Sequence, residues 1–234
     1  MPTRSSLALP LFVSRKQAER LRRGGAFLTG TAAVVLMTGC ASLTWFKDQG
    51  PALAPAPDAT TLVFIRHAEM PVSGLGQLNC RGLNRAIALV QRLPQRVGTP
   101  QAVFAPSPSV QKTDSGQAYS YVRPLATVEP LAVQYSLPVH AQIGYDNATG
   151  LADALDARDL RGRTVVVAWD HKYLADAVRL LLDRHQGPSA AVPAWRGSDF
   201  DSIYVVRIPA NGAPASFIQM SQGLDRLPQH CPGT

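Results

Sequence analysis

The chain predicts an α/β fold of three layers, in which a mostly parallel central sheet lies between two layers of helices. Two observations carry this. The runs Leu62-Val63-Phe64-Ile65 and Val165-Val166-Val167-Ala168 are continuously apolar rather than alternating, as in strands buried on both faces. Segments with helical spacing fall between the strand-like ones, and that alternation is the sequence mark of a parallel sheet. No internal repeat is present.

The elements follow in order. Thr61 to Arg66 reads as the first strand. Leu83, Ala86, Ile87, Val90 and Leu93 share one helical face, with Gly82 before the helix and Pro94 expected to end it. Gly74-Leu75-Gly76 is a turn, since it lacks the third glycine of a dinucleotide loop. Gln101 to Ala105, bounded by prolines, is a second short strand. Ser107 to Tyr121 is polar and aperiodic and reads as a long surface loop, of the kind that is usually functional. Helices are predicted near Leu125 to Gln134, over Leu151 to Asp159 and over Tyr173 to Arg184. Strands are predicted over Arg163 to Trp169, Ser202 to Ile208 and Ala215 to Met220.

The N-terminal region has a different character. Arg15, Lys16, Arg20, Arg22 and Arg23 precede an apolar, small-residue segment from Ala26 to Met37, the order of a secretory leader. That segment is too short for a spanning helix, which needs roughly 20 apolar residues. Leu36-Met37-Thr38-Gly39-Cys40-Ala41 resembles a bacterial lipobox, in which the cysteine is lipidated. The expected organisation is a lipoprotein signal peptide over 1–39, a Pro/Ala-rich tether over 40–60 and one folded domain over 61–234. The protein is then expected in a bacterial cell envelope, anchored by lipid on Cys40 to the outer membrane and facing the periplasm. Residues 1–39 hold six basic residues and one acidic, which leaves the rest at +2 of the overall +7. The positive balance is therefore mostly a targeting signal, and no nucleic-acid partner is expected. Cys80 and Cys231 either pair in the oxidising compartment or remain buried thiols, and the sequence leaves both open.

Two strand ends carry chemistry. The first strand runs into Arg66-His67-Ala68-Glu69, and the strand ending at Trp169 runs into Asp170-His171. Ligands of open α/β sheets bind at the carboxyl edge, so adjacent strands would bring His67 and His171 to one crevice. An arginine clamps phosphate with its planar fork of donors, and an imidazole can accept a phosphoryl group.

These residues resemble the histidine phosphatase superfamily, the phosphoglycerate-mutase-like fold. The opening strand of that family ends in Arg-His-Gly or Arg-His-Ala, matched by Arg66-His67-Ala68. A segment starting its first helix is matched by Leu78-Asn79-Cys80-Arg81-Gly82-Leu83-Asn84-Arg85-Ala86. The family's second arginine lies in a Ser-Pro-x-x-Arg-x-x-x-Thr-Ala segment. Here Ser107-Pro108 is followed by Gln111-Lys112 where that arginine would fall. Arg123 to Thr127 keeps the Arg-to-Thr spacing, so the role is carried to Arg123 with residues 109–121 as an insertion. His171 matches the second histidine after a late apolar strand. The similarity spans roughly residues 61–220.

The resemblance implies a phosphatase whose substrate is a phosphorylated small molecule. His67 would attack phosphorus, with Arg66, Arg123 and His171 around the phosphoryl group. Neither metal nor cofactor is expected. The proton donor to the leaving oxygen has no motif: Asp170 is the first candidate, Asp146 the second, and Glu69 either serves there or orients its loop. The alternative is a lipoprotein that keeps the fold as a non-catalytic phosphate- or ligand-binding module.

Overall fold

The computed structural model describes residues 51–233. The leader, Cys40 and the first half of the expected tether lie outside the described residues. In chain order the elements are β1 (Ala59–Arg66), α1 (Cys80–Val97), β2 (Ala102–Phe104), β3 (Gln111–Asp114), β4 (Gln117–Ser120), α2 (Arg123–Gln134) and β5 (Val139–His140). They continue with α3 (Ala148–Leu155), β6 (Thr164–Trp169), α4 (His171–Arg184), β7 (Ser202–Pro209) and β8 (Ser216–Ser221).

Six strands form one sheet in the order β5-β2-β6-β1-β7-β8. The first four are parallel, while β7 runs antiparallel to β1, and β8 to β7. Alternation along β1 explains its unbroken apolar run. Leu62 and Phe64 join Val165 and Val167 on one face, where they meet α3 and α4 through Leu151, Leu155, Leu174 and Leu181. Val63 and Ile65 join Val103 and Val166 on the other, against Leu89, Leu93, Val128 and Leu131 of α1 and α2. Every residue of β1 is buried, and each large apolar side chain removed from water contributes about 1.5–3 kcal/mol. The result is a three-layer α/β/α sandwich with a mostly parallel sheet.

Several boundaries differ from the sequence expectation for local reasons. Helix α1 starts at Cys80 because Asn79 caps it, its Oδ1 accepting the Gly82 N–H at 2.8 Å. It continues past Pro94 to Val97, held by the buried Leu93, Arg96 and Val97. It stops at Gly98, whose φ of 91° is costly for other residues. Gly82 is required by packing: a Cβ there would stand 2.2 Å from the Glu69 carbonyl. Helix α2 begins at Arg123, two residues before the expected start, with Pro124 in its first turn where no N–H is needed.

The main correction concerns residues 107–121, which do not form an irregular loop. Strands β3 and β4 make a two-stranded hairpin joined by Ser115-Gly116, with φ of 50° and 84°. Two successive positive φ values suit the two-residue turn that matches strand twist. The pattern escaped a search for apolar periodicity because neither face is apolar: Gln111 and Thr113 point outward, and Lys112 and Asp114 inward.

Candidate active site

Strands β1 and β6 pair in parallel with Arg66 opposite Trp169, and the His67 N–H donates to the Trp169 carbonyl at 3.1 Å. The two strands therefore end level, and Arg66-His67 and Asp170-His171 leave the sheet at the same edge. From there the chain passes to α1 on one face and to α4 on the other, the divergence at which ligands bind in open α/β sheets.

His67 is almost wholly buried, at 2% exposure. Its Nδ1–H donates to the Ala68 carbonyl at 2.8 Å, so the lone pair of the neutral ring belongs to Nε2. Burial, reinforced by the positive charge of Arg66, pushes the imidazole well below its ordinary pKa. The ring is thus held neutral, packed edge-on to Tyr121 at 5.9 Å and to Phe200 at 6.1 Å between centroids.

Both arginines are buried beside it. Arg66 donates through Nη1 to the Gly197 carbonyl, and its guanidinium lies 4.0 Å from the centre of the Phe200 ring. Arg123 donates to Asp114 and contacts Met70 Sδ, 5.1 Å from the centre of Tyr121. Each keeps a buried Nε–H without a partner. Tyr121, 0% exposed, is the ring that both His67 and Arg123 approach.

His171 is the first residue of α4 and is half-buried. Its Nδ1 is buried without a hydrogen bond, 3.8 Å from Asp170 Oδ1. Its Nε2 lies beside Gly197, 3.8 Å from where a Cβ would stand. Burial and the Arg66 charge lower its pKa. Arg66 and His171 therefore converge on the same backbone segment.

Asp170 is the N-cap of α4, its Oδ1 accepting the Lys172 N–H at 3.1 Å. Its Oδ2 accepts from Lys112 Nζ and from the Tyr121 hydroxyl, the latter at 3.2 Å. Burial pushes this carboxyl up, but Lys112 and the cap outweigh it and hold the pKa below the usual value. A carboxylate held in this way carries no proton to give, so the donor role expected of Asp170 does not fit its surroundings. Asp146 is exposed at the rim. Glu69 is committed elsewhere: Arg85 Nε and Nη2 bind its two oxygens at 2.9 and 2.8 Å. Arg85 also reaches Asp201 and Gln222 at 3.2 and 2.8 Å. Glu69 therefore ties the loop after His67 to α1.

Cys80, the first residue of α1, is disulfide-bonded to Cys231 across 151 residues of chain. The bond fastens the C-terminal tail beside that loop.

Sequence reasoning missed Lys112, Asp114, Tyr121, Phe200 and Gly197. The first three belong to the inserted hairpin and its exit, where the alternation Lys112-x-Asp114 was the available signal. Phe200 and Gly197 come from the segment before β7 and carry no local pattern.

No protein-family model and no curated protein matches the chain. Solved structures show general likeness in fold. One is a Nakamurella multipartitia protein assigned as the phosphohistidine phosphatase SixA, at 19% identity and a TM-score of 0.47, covering 71% of this chain and 97% of that one. Another is a mycobacterial glucosyl-3-phosphoglycerate phosphatase, at 15% identity and 0.47, covering 68% and 97%. A third, from Agrobacterium tumefaciens, is also assigned as SixA, at 15% identity and 0.45, covering 70% and 97%. Likeness at this level carries nothing about substrate or residue roles.

Proposed function

We propose that the crevice is the active site of a phosphatase that acts through a phosphohistidine on His67. One observation carries the reading. Three buried N–H or ring-nitrogen groups without partners, Arg66 Nε, Arg123 Nε and His171 Nδ1, belong to residues grouped around a neutral, buried imidazole. Unpaired buried polar groups are costly, and a tetrahedral oxyanion offers acceptors for all of them.

In the first step the Nε2 lone pair of His67 forms a bond to phosphorus. The bond from phosphorus to the leaving oxygen breaks, and its electron pair departs with that oxygen, which takes a proton from solvent water. Arg66, Arg123 and His171 bind the equatorial oxygens and offset the charge that spreads over them. In the second step water attacks phosphorus, the N–P bond breaks and its electron pair returns to Nε2. Orthophosphate leaves, and the ring is neutral again. Among the described carboxyl groups placed at the site, Asp170 is held ionised, which favours substrates whose leaving group departs readily, such as aryl phosphates or phosphoramidates.

We further propose that the protein is exported and anchored by lipid on Cys40. The order of charged, apolar and small residues before Cys40 supports this, as does the Cys80–Cys231 disulfide, a bond typical of oxidising compartments. The substrate would then be a phosphorylated small molecule of the envelope. The contact of Asp114 with Arg123 favours the alternative of a ligand-binding module without turnover, because a carboxylate already occupies part of the phosphate arginine.

The test is hydrolysis of p-nitrophenyl phosphate without added metal, by wild type and by His67→Ala. Turnover by wild type, its loss in a folded His67→Ala, and an acid-labile phosphorylated histidine in the quenched wild-type reaction are expected. Equal inertness of both proteins toward several phosphate esters overturns the enzyme reading.

A further inference from the structure

The inserted hairpin does more than cover the crevice. We propose that Lys112 is a phosphoryl-binding residue, the third cation of the site, an inference that rests on the phosphatase reading above.

Strand alternation in β3 explains why lysine at 112, and not the residue at 111, supplies it. Gln111 stands where the Ser-Pro segment would otherwise bring an arginine, and it faces solvent. Lys112, one position on, faces the opposite side and reaches inward. Its Nζ lies 4.8 Å from the centre of the Tyr121 ring and 4.9 Å from that of Tyr145. The Tyr121 ring is also the one that His67 and Arg123 approach, at 5.9 and 5.1 Å. The ammonium is therefore one of three groups ranged around the Tyr121 ring, with His67 at its edge and Arg123 as the second cation. Its side chain is 26% exposed and so stays in reach of a solute, whereas the Asp170 it contacts is 1% exposed.

Charge gives the second reason. Arg66, Arg123 and Lys112 face Asp114 and Asp170, while burial keeps His67 and His171 in their neutral forms. Asp199 beside Arg66 and Lys172 beside His171 offset each other, so without Lys112 the two arginines would be matched by Asp114 and Asp170, and a phosphomonoester dianion would meet no net positive charge. With it the crevice is positive. An ammonium is a compact point charge with three donors. It can therefore keep one on Asp170 and turn another to a phosphoryl oxygen. The aromatic faces of Tyr121 and Tyr145 hold it in place without neutralising it.

Orthovanadate, which adopts the five-coordinate geometry of phosphoryl transfer, tests this by calorimetric binding to the purified protein. Lys112→Gln is expected to weaken vanadate binding by about tenfold or more, the range of one charge-assisted hydrogen bond, with Lys112→Arg restoring most of it. If Lys112 acts only through the charge balance, by offsetting Asp170, adding Asp170→Asn to Lys112→Gln returns affinity to the wild-type level, whereas a direct bond to the phosphoryl oxygen leaves the double variant weak. Restored affinity in that double variant overturns the proposal, and so does wild-type affinity in Lys112→Gln. Thermal melts establish that each variant is folded, and Lys112→Arg carries the test if the glutamine variant is not. Failure of wild type itself to bind vanadate would instead sink the underlying phosphatase reading, and this inference with it.

Discussion

Thr127 Oγ1 accepts the Ala68 N–H at 2.9 Å while its own hydroxyl donates to the Arg123 carbonyl at 2.7 Å. One fully buried side chain thus ties the backbone beside His67 to the first turn of the helix that carries Arg123. The Arg-to-Thr spacing of four is the spacing that lets a hydroxyl reach back one helical turn. Thr127→Val keeps the shape and removes both bonds, leaving the Ala68 N–H unpaired. The expected loss is about 1–3 kcal/mol in urea unfolding, together with a lower kcat on aryl phosphate. Unchanged stability and turnover would show that the tie is dispensable.

The buried charge network around Arg85 makes a larger prediction. Its guanidinium is 1% exposed and serves Glu69, Asp201, Gln222 and the Leu224 carbonyl. Arg85→Met would leave Glu69 with Arg81 alone and Asp201 with only the Gly223 and Leu224 N–H groups, in a low-dielectric interior. Breaking a buried pair by removing one partner costs about 3–5 kcal/mol, so the urea midpoint should fall steeply. Glu69→Gln, which keeps hydrogen-bonding capacity, should cost less.

The disulfide closes most of the folded domain into one loop. Cys80→Ser with Cys231→Ser is expected to lower stability by about 2–5 kcal/mol, and dithiothreitol should lower the melting temperature of wild type but not of the double variant. Identical melts with and without reductant would show that the bond does not form.

Stability should also depend on pH through the histidines. The folded pKa of His67 is lowered well below 6.5, its ordinary value in the unfolded chain, and that of His171 is lowered too. Above the unfolded value both states are neutral and nothing is lost. As pH falls below it the unfolded chain takes up protons that the folded one refuses. Stability drops until pH has passed through the depressed folded values. Melting temperature is therefore expected to fall between pH 7 and pH 5, and less so in His67→Asn. Turnover should persist below pH 6.5, because the nucleophile stays unprotonated there. A rate that collapses as soon as pH drops under 6.5 would contradict the burial assigned to His67.

Much of the architecture was legible in the chain. Continuous apolar runs marked β1 and β6 as strands covered on both faces, and the polar residues that follow them could be read directly. Arg66, His67 and His171 were visible because they adjoin those runs, and Arg123 because of its spacing to Thr127. The hairpin was not legible, since its two faces are both polar and its cues were only the alternation Lys112-x-Asp114 and the Ser115-Gly116 turn. The two-residue β5 was too short to have a period.

By itself the sequence determined what is local: which segments are strands and helices, what stands at their ends, and the spacing that lets Thr127 reach Arg123. The tertiary structure alone decided what is made across space. The register of β1 on β6 sets His67 level with His171. The hairpin, folded inward, puts Lys112 on Asp170, 58 residues away, and keeps that carboxyl ionised. Arg85 claims Glu69, 16 residues on. Periodicity records how neighbours along the chain meet a surface. The protonation and pairing of a buried group depend instead on charges within a few ångströms, and those arrive from any part of the chain.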